Sequence, residues 1–486
     1  MKKIFYLALF SATLVSCDDK DIDLHPYDAF GENLTFQDKA DFESAVRGAY
    51  RYLLDGNGYM GEYIIDSEAM TDNVIYSPQG RQTNLTGYRW QSSPNNPDFD
   101  YFEGAYQSSE MASQVINHLD ILPASADKDN FEGEARFLRA LNHFDLVRSY
   151  SKIPTQSADA GGSFGMYYLS TYEPFSKPER GTVSETYQKI LDDLLIAKDK
   201  INADNGVAVG RAGKSAVYAL LSRVYLYLGD YPNVIANGQL AISNATGVMS
   251  TINSGTNFVN LWNDANVNGV LFKIRAENTD GVTPGTVFFQ GSAANRKSEF
   301  VVAKEFYNLF TPAFTGYTDI RKTAYIATSN FQGKSYNHII KYDGRPGAPA
   351  NLVDIKVLRI EEVYLNMAEA QYRIDGGGLN YLDVVRTKRY VAVTGPAFVS
   401  GNETGQALFD AIMNERRLEF AFEFDRFYTL KRLGLPLDRG TAGHFADGTG
   451  VPPTVVHIDP SDYRWQMPIP AYYRDLNSNF QQNPGY

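Results

Sequence analysis

The chain of 486 residues has a single cysteine, at position 17. That count excludes a disulfide framework and any cysteine-built zinc site. Histidine is also scarce. Its six residues are scattered, with no pair at ligand spacing and no His-Glu-x-x-His, and no Gly-rich dinucleotide loop is present. No cofactor is implied. Positive charge is in deficit, since 45 Lys and Arg against 57 Asp and Glu leave a net charge of −12. Without a basic cluster there is no surface for nucleic acid. No stretch beyond the N-terminus is long and apolar enough to span a bilayer as a helix.

At that N-terminus, Lys2 and Lys3 precede an apolar run from Ile4 to Val15. The run is too short for a transmembrane helix and has the form of a signal peptide, residues 1–16. Leu14-Val15-Ser16-Cys17 resembles a bacterial lipobox, so Cys17 is expected to be acylated and to become the first mature residue. Lipid there would anchor the protein without spanning the membrane. Residues 17–33 then form a polar tether, and its acidic Asp18-Asp19-Lys20-Asp21 resembles a surface-export signal.

The clearest local pattern lies at Arg211–Ser243. Ala216, Leu220, Val224 and Leu228 recur at helical spacing. Gly229-Asp230 breaks the run, and Tyr231-Pro232 opens a second helix, where Pro is tolerated in the first turn. Tyr218-x2-Leu221-Ser222-x2-Tyr225 follows the large-x2-Leu-small-x2-Tyr signature of a tetratricopeptide hairpin. A second hairpin is expected at 357–390, with Ile360, Tyr364, Met367 and Ala370 as its stripe. Thr35–Asp38 and Thr182–Glu185 both read as capping boxes ahead of helices. Gln406 to Gly434 gives the longest helical signal. The segments 55–100, 151–180, 244–349 and 435–470 read as loop-rich insertions, with strand-like pieces at Val270–Ile274 and Thr286–Phe289 and a helix at Phe300–Phe310.

Two phrases mimic catalytic motifs. Gly213-Lys214-Ser215 resembles the end of a phosphate loop, but Ala208 stands where its first Gly belongs. Gly161-Gly162-Ser163-Phe164-Gly165 matches a nucleophile elbow, but no strand pattern precedes it and no helix pattern follows. Arg416, Glu419, Glu423 and Arg426 are spaced to share one helix face. Glu419 and Glu423 could form the carboxylate pair of a glycoside hydrolase, which needs one carboxyl of raised pKa. With an Arg at helical reach of each, mutual neutralisation is the favoured reading. His143, inside an apolar helix, reads as a packed residue.

From Glu68 to Phe99 helical patterning dissolves into a long loop rich in Pro, Gly, Asn and Ser, with Tyr76, Tyr88 and Trp90 embedded. A loop of this length is functional or disordered, and its aromatic content argues against disorder.

Several phrases together resemble the SusD/RagB-like outer-membrane lipoproteins of Bacteroidota. They are the lipobox at Cys17, Glu134–Ala140 with Phe144–Arg148, Gly213–Tyr231, Arg359–Ala370, Asn414–Phe420 through Leu430–Gly434, Pro468-Ile469-Pro470, and Gln482–Tyr486. The resemblance implies a mainly α fold of tetratricopeptide-like hairpins, an α-α superhelix, with a loop-rich ligand-binding half, as one domain over 34–486. It implies a lipid-anchored outer-membrane location facing the cell surface. It also implies a SusC-like TonB-dependent transporter as partner, and a glycan, or a peptide in RagB-like branches, as ligand rather than substrate. The Glu68–Phe99 loop resembles the early aromatic loop that contributes to glycan binding in the family. There Tyr76, Tyr88 and Trp90 would supply stacking faces, and Asp72, Asn73, Arg81 and Asn84 hydrogen bonds. Phe288 and Phe289 are a second candidate. A glycoside hydrolase and a protein-only scaffold remain the alternatives.

Overall fold

A computed structural model describes residues 36–486 except 55–57, 60, 98, 172, 174, 207–208, 282 and 293–294. The signal peptide, Cys17, the acidic run at 18–21 and the tether lie outside the described residues. The longer helices are α1 (Lys39–Tyr52), α2 (Phe102–Asn117), α3 (Ala126–Tyr150), α4 (Val183–Lys200), α5 (Lys214–Leu228), α6 (Tyr231–Asn244), α7 (Ile360–Asp375), α8 (Leu379–Arg389) and α9 (Gly405–Glu419). Each packs on the one before it in sequence. That nearest-neighbour stacking defines a helical-hairpin superhelix.

Local chemistry explains the boundaries. Thr182 and Glu185 form the expected capping box of α4. For α1 the box forms at Asp38 and Asp41, so the helix starts later than a cap at Thr35 would place it. In the α5–α6 hairpin, Gly229 closes α5 with φ +76°, and the Asp230 side chain caps α6 ahead of Pro232. The small Ser222 lets the arms approach, and its hydroxyl donates to the Val234 carbonyl at 3.2 Å. Gly238 faces α7 so closely that a Cβ there would fall 2.7 Å from Met367 Cγ. Charge also ties the stack together, because buried Arg223 donates to both carboxylate oxygens of Glu362 on α7.

The Gln406–Gly434 signal is two helices. α9 ends at Glu419, and a second helix runs Arg426–Arg432. Between them Phe422 and Phe424 adopt φ of +68° and +56°. Such backbone costs about 1–3 kcal/mol per residue. Here it is offset by four aromatic residues burying in one short turn, Phe420, Phe422, Phe424 and Phe427, and by Tyr342 and Lys341 donating to the carbonyls of Phe422 and Ala421.

The insertions are more ordered than the sequence pattern implies. Glu62–Ala69 is helical. Val270–Ile274 is a strand, as expected, and pairs with Ile355–Arg359. Thr286–Phe289 is a turn, and Phe300–Phe310 divides into a strand and a short helix. Strands β1 (Val74–Tyr76), β2 (Phe300–Val302), β3 (Ile326–Phe331) and β4 (Lys334–Ile339) form an antiparallel sheet in the order β1-β2-β4-β3. Val74 faces Val302 and Tyr76 faces Phe300, which stitches the early loop to the distant insertion.

Candidate functional site

The site is organised by Glu299, a carboxylate with no exposed surface at the start of β2. It accepts from the Gln290 amide at 2.7 Å, Arg81 Nε at 3.2 Å, and the Thr83 backbone and hydroxyl at 2.8 and 2.9 Å. Ser77 N also donates to its carbonyl at 2.7 Å. A buried carboxylate needs such donors, and their convergence fixes loop 77–84 against the Gln290–Ser292 strand. The arrangement leaves Arg81 half exposed. Tyr76 and Phe289 are only partly buried. The Arg296 guanidinium lies 4.1 Å from the Phe289 ring centroid and is bound by Asp343. Burial, reinforced by the Glu299 charge and opposed by Arg89, pushes the Tyr76 hydroxyl pKa up. That hydroxyl is buried with no hydrogen-bond partner. The partly open Tyr76 ring near Glu299, with Arg81, Thr83 and Gln290 converging on the same carboxylate, gives an apolar face with polar groups, which suits a polyhydroxylated ligand.

The structure therefore brings Tyr76 and Arg81 together around Glu299, sets Phe289 apart against Arg296, and withdraws the other expected ligand contacts. Trp90 is 1% exposed. Its Nε1 donates to Met70 O at 3.1 Å, and its ring meets Trp465 edge-on at 4.8 Å. Tyr88 is covered by the Arg439 guanidinium at 4.0 Å. Phe288 packs among Tyr342 and Phe422. None of these three rings offers a face to solvent. Asp72 is bound by Arg417 and Arg426 at 3.1 and 2.7 Å. Burial opposes its ionisation, but those two cations outweigh it and hold the carboxyl far below the usual range. Asn73 is consumed by Glu68 and Arg417, and Asn84 by Asp66 and Thr83. These polar residues shape the loop from beneath. Glu299, Thr83 and Gln290 were not indicated by any sequence pattern, because a lone buried Glu has none.

Glu419 and Glu423 do not share a helix, and Arg416 and Arg426 are not their partners. Both carboxylates converge on Arg359, at 2.8 and 2.9 Å. Arg389 and Arg321 also hold Glu419, and Lys341 holds Glu423. Arg416 instead binds Asp425 and Asn366. Burial would raise the Glu419 pKa, but Arg389, Arg359 and Arg321 take it well below the ordinary value. It cannot serve as a raised-pKa acid. His143 is fully buried, with Nδ1 2.8 Å from Arg139 O and Nε2 accepting from Leu169 N. Burial pushes its pKa down to about 3. Ser215 and Ser163 spend their hydroxyls on the carbonyls of Ala241 and Ala160, so neither mimic motif forms a site. Among the described residues no cluster of potential metal ligands occurs, and no helix is long and apolar enough to cross a membrane.

A superhelix of hairpins presenting an ordered, loop-built polar and aromatic surface defines a ligand-binding scaffold. Comparison with known proteins gives that class its family. Residues 23–226 match a SusD-like family model described as starch-binding and associating with the outer membrane. Residues 251–486 match the SusD family model. The chain belongs to the SusD family. SusD-like protein P2 of Formosa agariphila is 25% identical over all of this chain and 99% of its own. A SusD superfamily protein of Bacteroides vulgatus superposes with a TM-score of 0.78 at 23% identity, covering 93% of this chain and 100% of that one. A laminarin-binding SusD-like protein superposes with a TM-score of 0.69 at 19% identity, covering 93% and 100%.

Proposed function

We propose that the protein is a surface-exposed outer-membrane lipoprotein, anchored through Cys17, that binds an oligosaccharide without cleaving it and delivers it to a SusC-like TonB-dependent transporter. Residues 34–486 act as one binding unit in this reading. The observation that carries it is the Glu299-organised surface, where Arg81 and Tyr76 stand accessible on a rigid base. The family's starch-binding description and the laminarin-binding relative support a glycan over a peptide.

Calorimetry against a panel of neutral and acidic glycans and peptides tests it. One glycan class should bind, and no new reducing ends should appear on incubation. Tyr76→Ala and Arg81→Ala should each weaken binding about tenfold, the equivalent of one lost stacking or charged hydrogen-bonding contact. Binding of peptides alone, or unchanged affinity in both variants, would overturn the reading.

A further inference from the structure

A separate cleft of about 390 Å³ opens where the loop after α3 meets the C-terminal segment. It shares no residue with the Arg81–Glu299 surface. Its walls carry two aromatic rings, Phe164 and Tyr463, which are 40% and 44% exposed. Lys152, Asp159, Ser163 and Gln466 are among the polar groups lining it. We infer that this cleft is a second carbohydrate subsite, taking a short stretch of a neutral glycan between the two rings. The inference rests on the glycan-binding reading above.

Both rings are held from behind. Phe164 bridges to Thr182 across a short antiparallel contact, and the Arg180 guanidinium lies 5.3 Å from its ring centroid. Arg180 is itself buried, and it staples the loop to the chain end. It donates to Gly165 O at 2.7 Å, to Asn483 Oδ1 at 2.9 Å and to Tyr150 O at 3.2 Å. Tyr463 is seated so tightly on Gly485 that a Cβ there would fall 2.4 Å from its Cγ. Its ring meets Tyr486 edge-on at 4.9 Å, and the Tyr486 hydroxyl donates to Gln466 O. An exposed ring normally pays rotamer entropy when a ligand lands on it; these two are fixed beforehand.

The lining also selects the chemistry. Its one ammonium and one carboxylate, Lys152 and Asp159, pair with each other at 2.6 Å. The cleft therefore holds no net charge to attract a sulfated or phosphorylated ligand. Asn483 is committed to Tyr150 O and Met467 O, and no strand edge lines the cleft for an extended peptide to join. What is left is two partly exposed rings with the Ser461 hydroxyl and the Gln466 amide in the same lining, complementary to a neutral polyol.

The two readings predict different stoichiometries. Maltotriose and laminaritriose serve as probes, each too short to bridge separate sites. Calorimetry of the mature chain with the probe that binds should show two sites. Phe164→Ala/Tyr463→Ala should retain one, with the helical circular dichroism of the wild type preserved. Tyr76→Ala/Arg81→Ala should retain the other. A crystal soaked with the same trisaccharide should show it between Phe164 and Tyr463. One site, indifferent to Phe164→Ala/Tyr463→Ala and absent from the cleft in the soaked crystal, overturns this inference and leaves the first reading intact. No binding of any glycan, trisaccharide or longer, overturns that reading and this inference with it.

Discussion

Glu68 lies wholly buried beneath the site loop, accepting from the Asn73 amide at 2.8 Å. Burial raises its pKa from 4.5 to about 7, against the lowering effect of that hydrogen bond and of the Phe422 backbone. A carboxyl whose folded pKa is raised favours the folded state below its unfolded value, and loses that advantage as pH climbs through the folded value. Stability should therefore fall between pH 4.5 and about 7, by up to about 3 kcal/mol from this group. Glu68→Gln keeps an acceptor for Asn73 and cannot ionise. Urea denaturation at pH 5 and pH 7.5 should show a smaller loss in the variant than in the wild type. Trp90 makes a contrasting case. Truncation to Ala should cost about 3–5 kcal/mol, the range for a buried Trp, and lower the melting temperature. Residual folded protein should bind glycan with little change, since the ring never reaches solvent. Trp90 and Tyr88 invite a stacking role in sequence because an aromatic residue in a polar loop looks exposed. What buries them, Trp465 and Arg439, lies more than 300 residues away, and no local pattern announces such partners.

The helical hairpins are legible for the opposite reason. Their apolar stripes, caps and breaking glycines all act within a few residues, so the arms at 211–243 and 357–390 fall where periodicity places them. The break after Glu419 is invisible in sequence because neither Gly nor Pro marks it. Two phenylalanines take left-handed backbone only because tertiary partners hold them there. Close approach between α6 and α7 gives a test at this scale. Gly238→Ala should gain about 1 kcal/mol of helix propensity, yet its Cβ would press on fully buried Met367, and overpacking of this kind costs about 1–3 kcal/mol. Net destabilisation, read as a lower urea midpoint, is the expected outcome. Gly238→Ala/Met367→Ala should recover the overpacking loss while incurring the cost of a cavity.

For the whole molecule, fold class and family were legible because many phrases, each weak alone, occur in one order from Cys17 to Tyr486. The surface proposed as the site was legible only as a region. Loop 68–99 does contribute Tyr76 and Arg81, but its other half is assembled from Glu299 and Gln290, which carry no motif. Cys17→Ser should release the protein from outer-membrane pellets into the soluble fraction, measured by immunoblot. Affinity purification of the native protein should recover a TonB-dependent barrel, and its absence would remove the delivery step.

Arg439 donates to the carbonyls of Ala69, Thr71 and Tyr88 at 2.7–2.8 Å, while Arg417 and Arg426 clamp Asp72. The loop proposed to bind is thus written early in the chain and locked by residues some 350 positions later. Contacts of such separation form slowly and last. A chain still emerging, or one truncated before Arg417, lacks the clamps on Asp72 and on the carbonyls of Ala69, Thr71 and Tyr88. The early loop thus takes its final form only once the C-terminal third of the chain has been made.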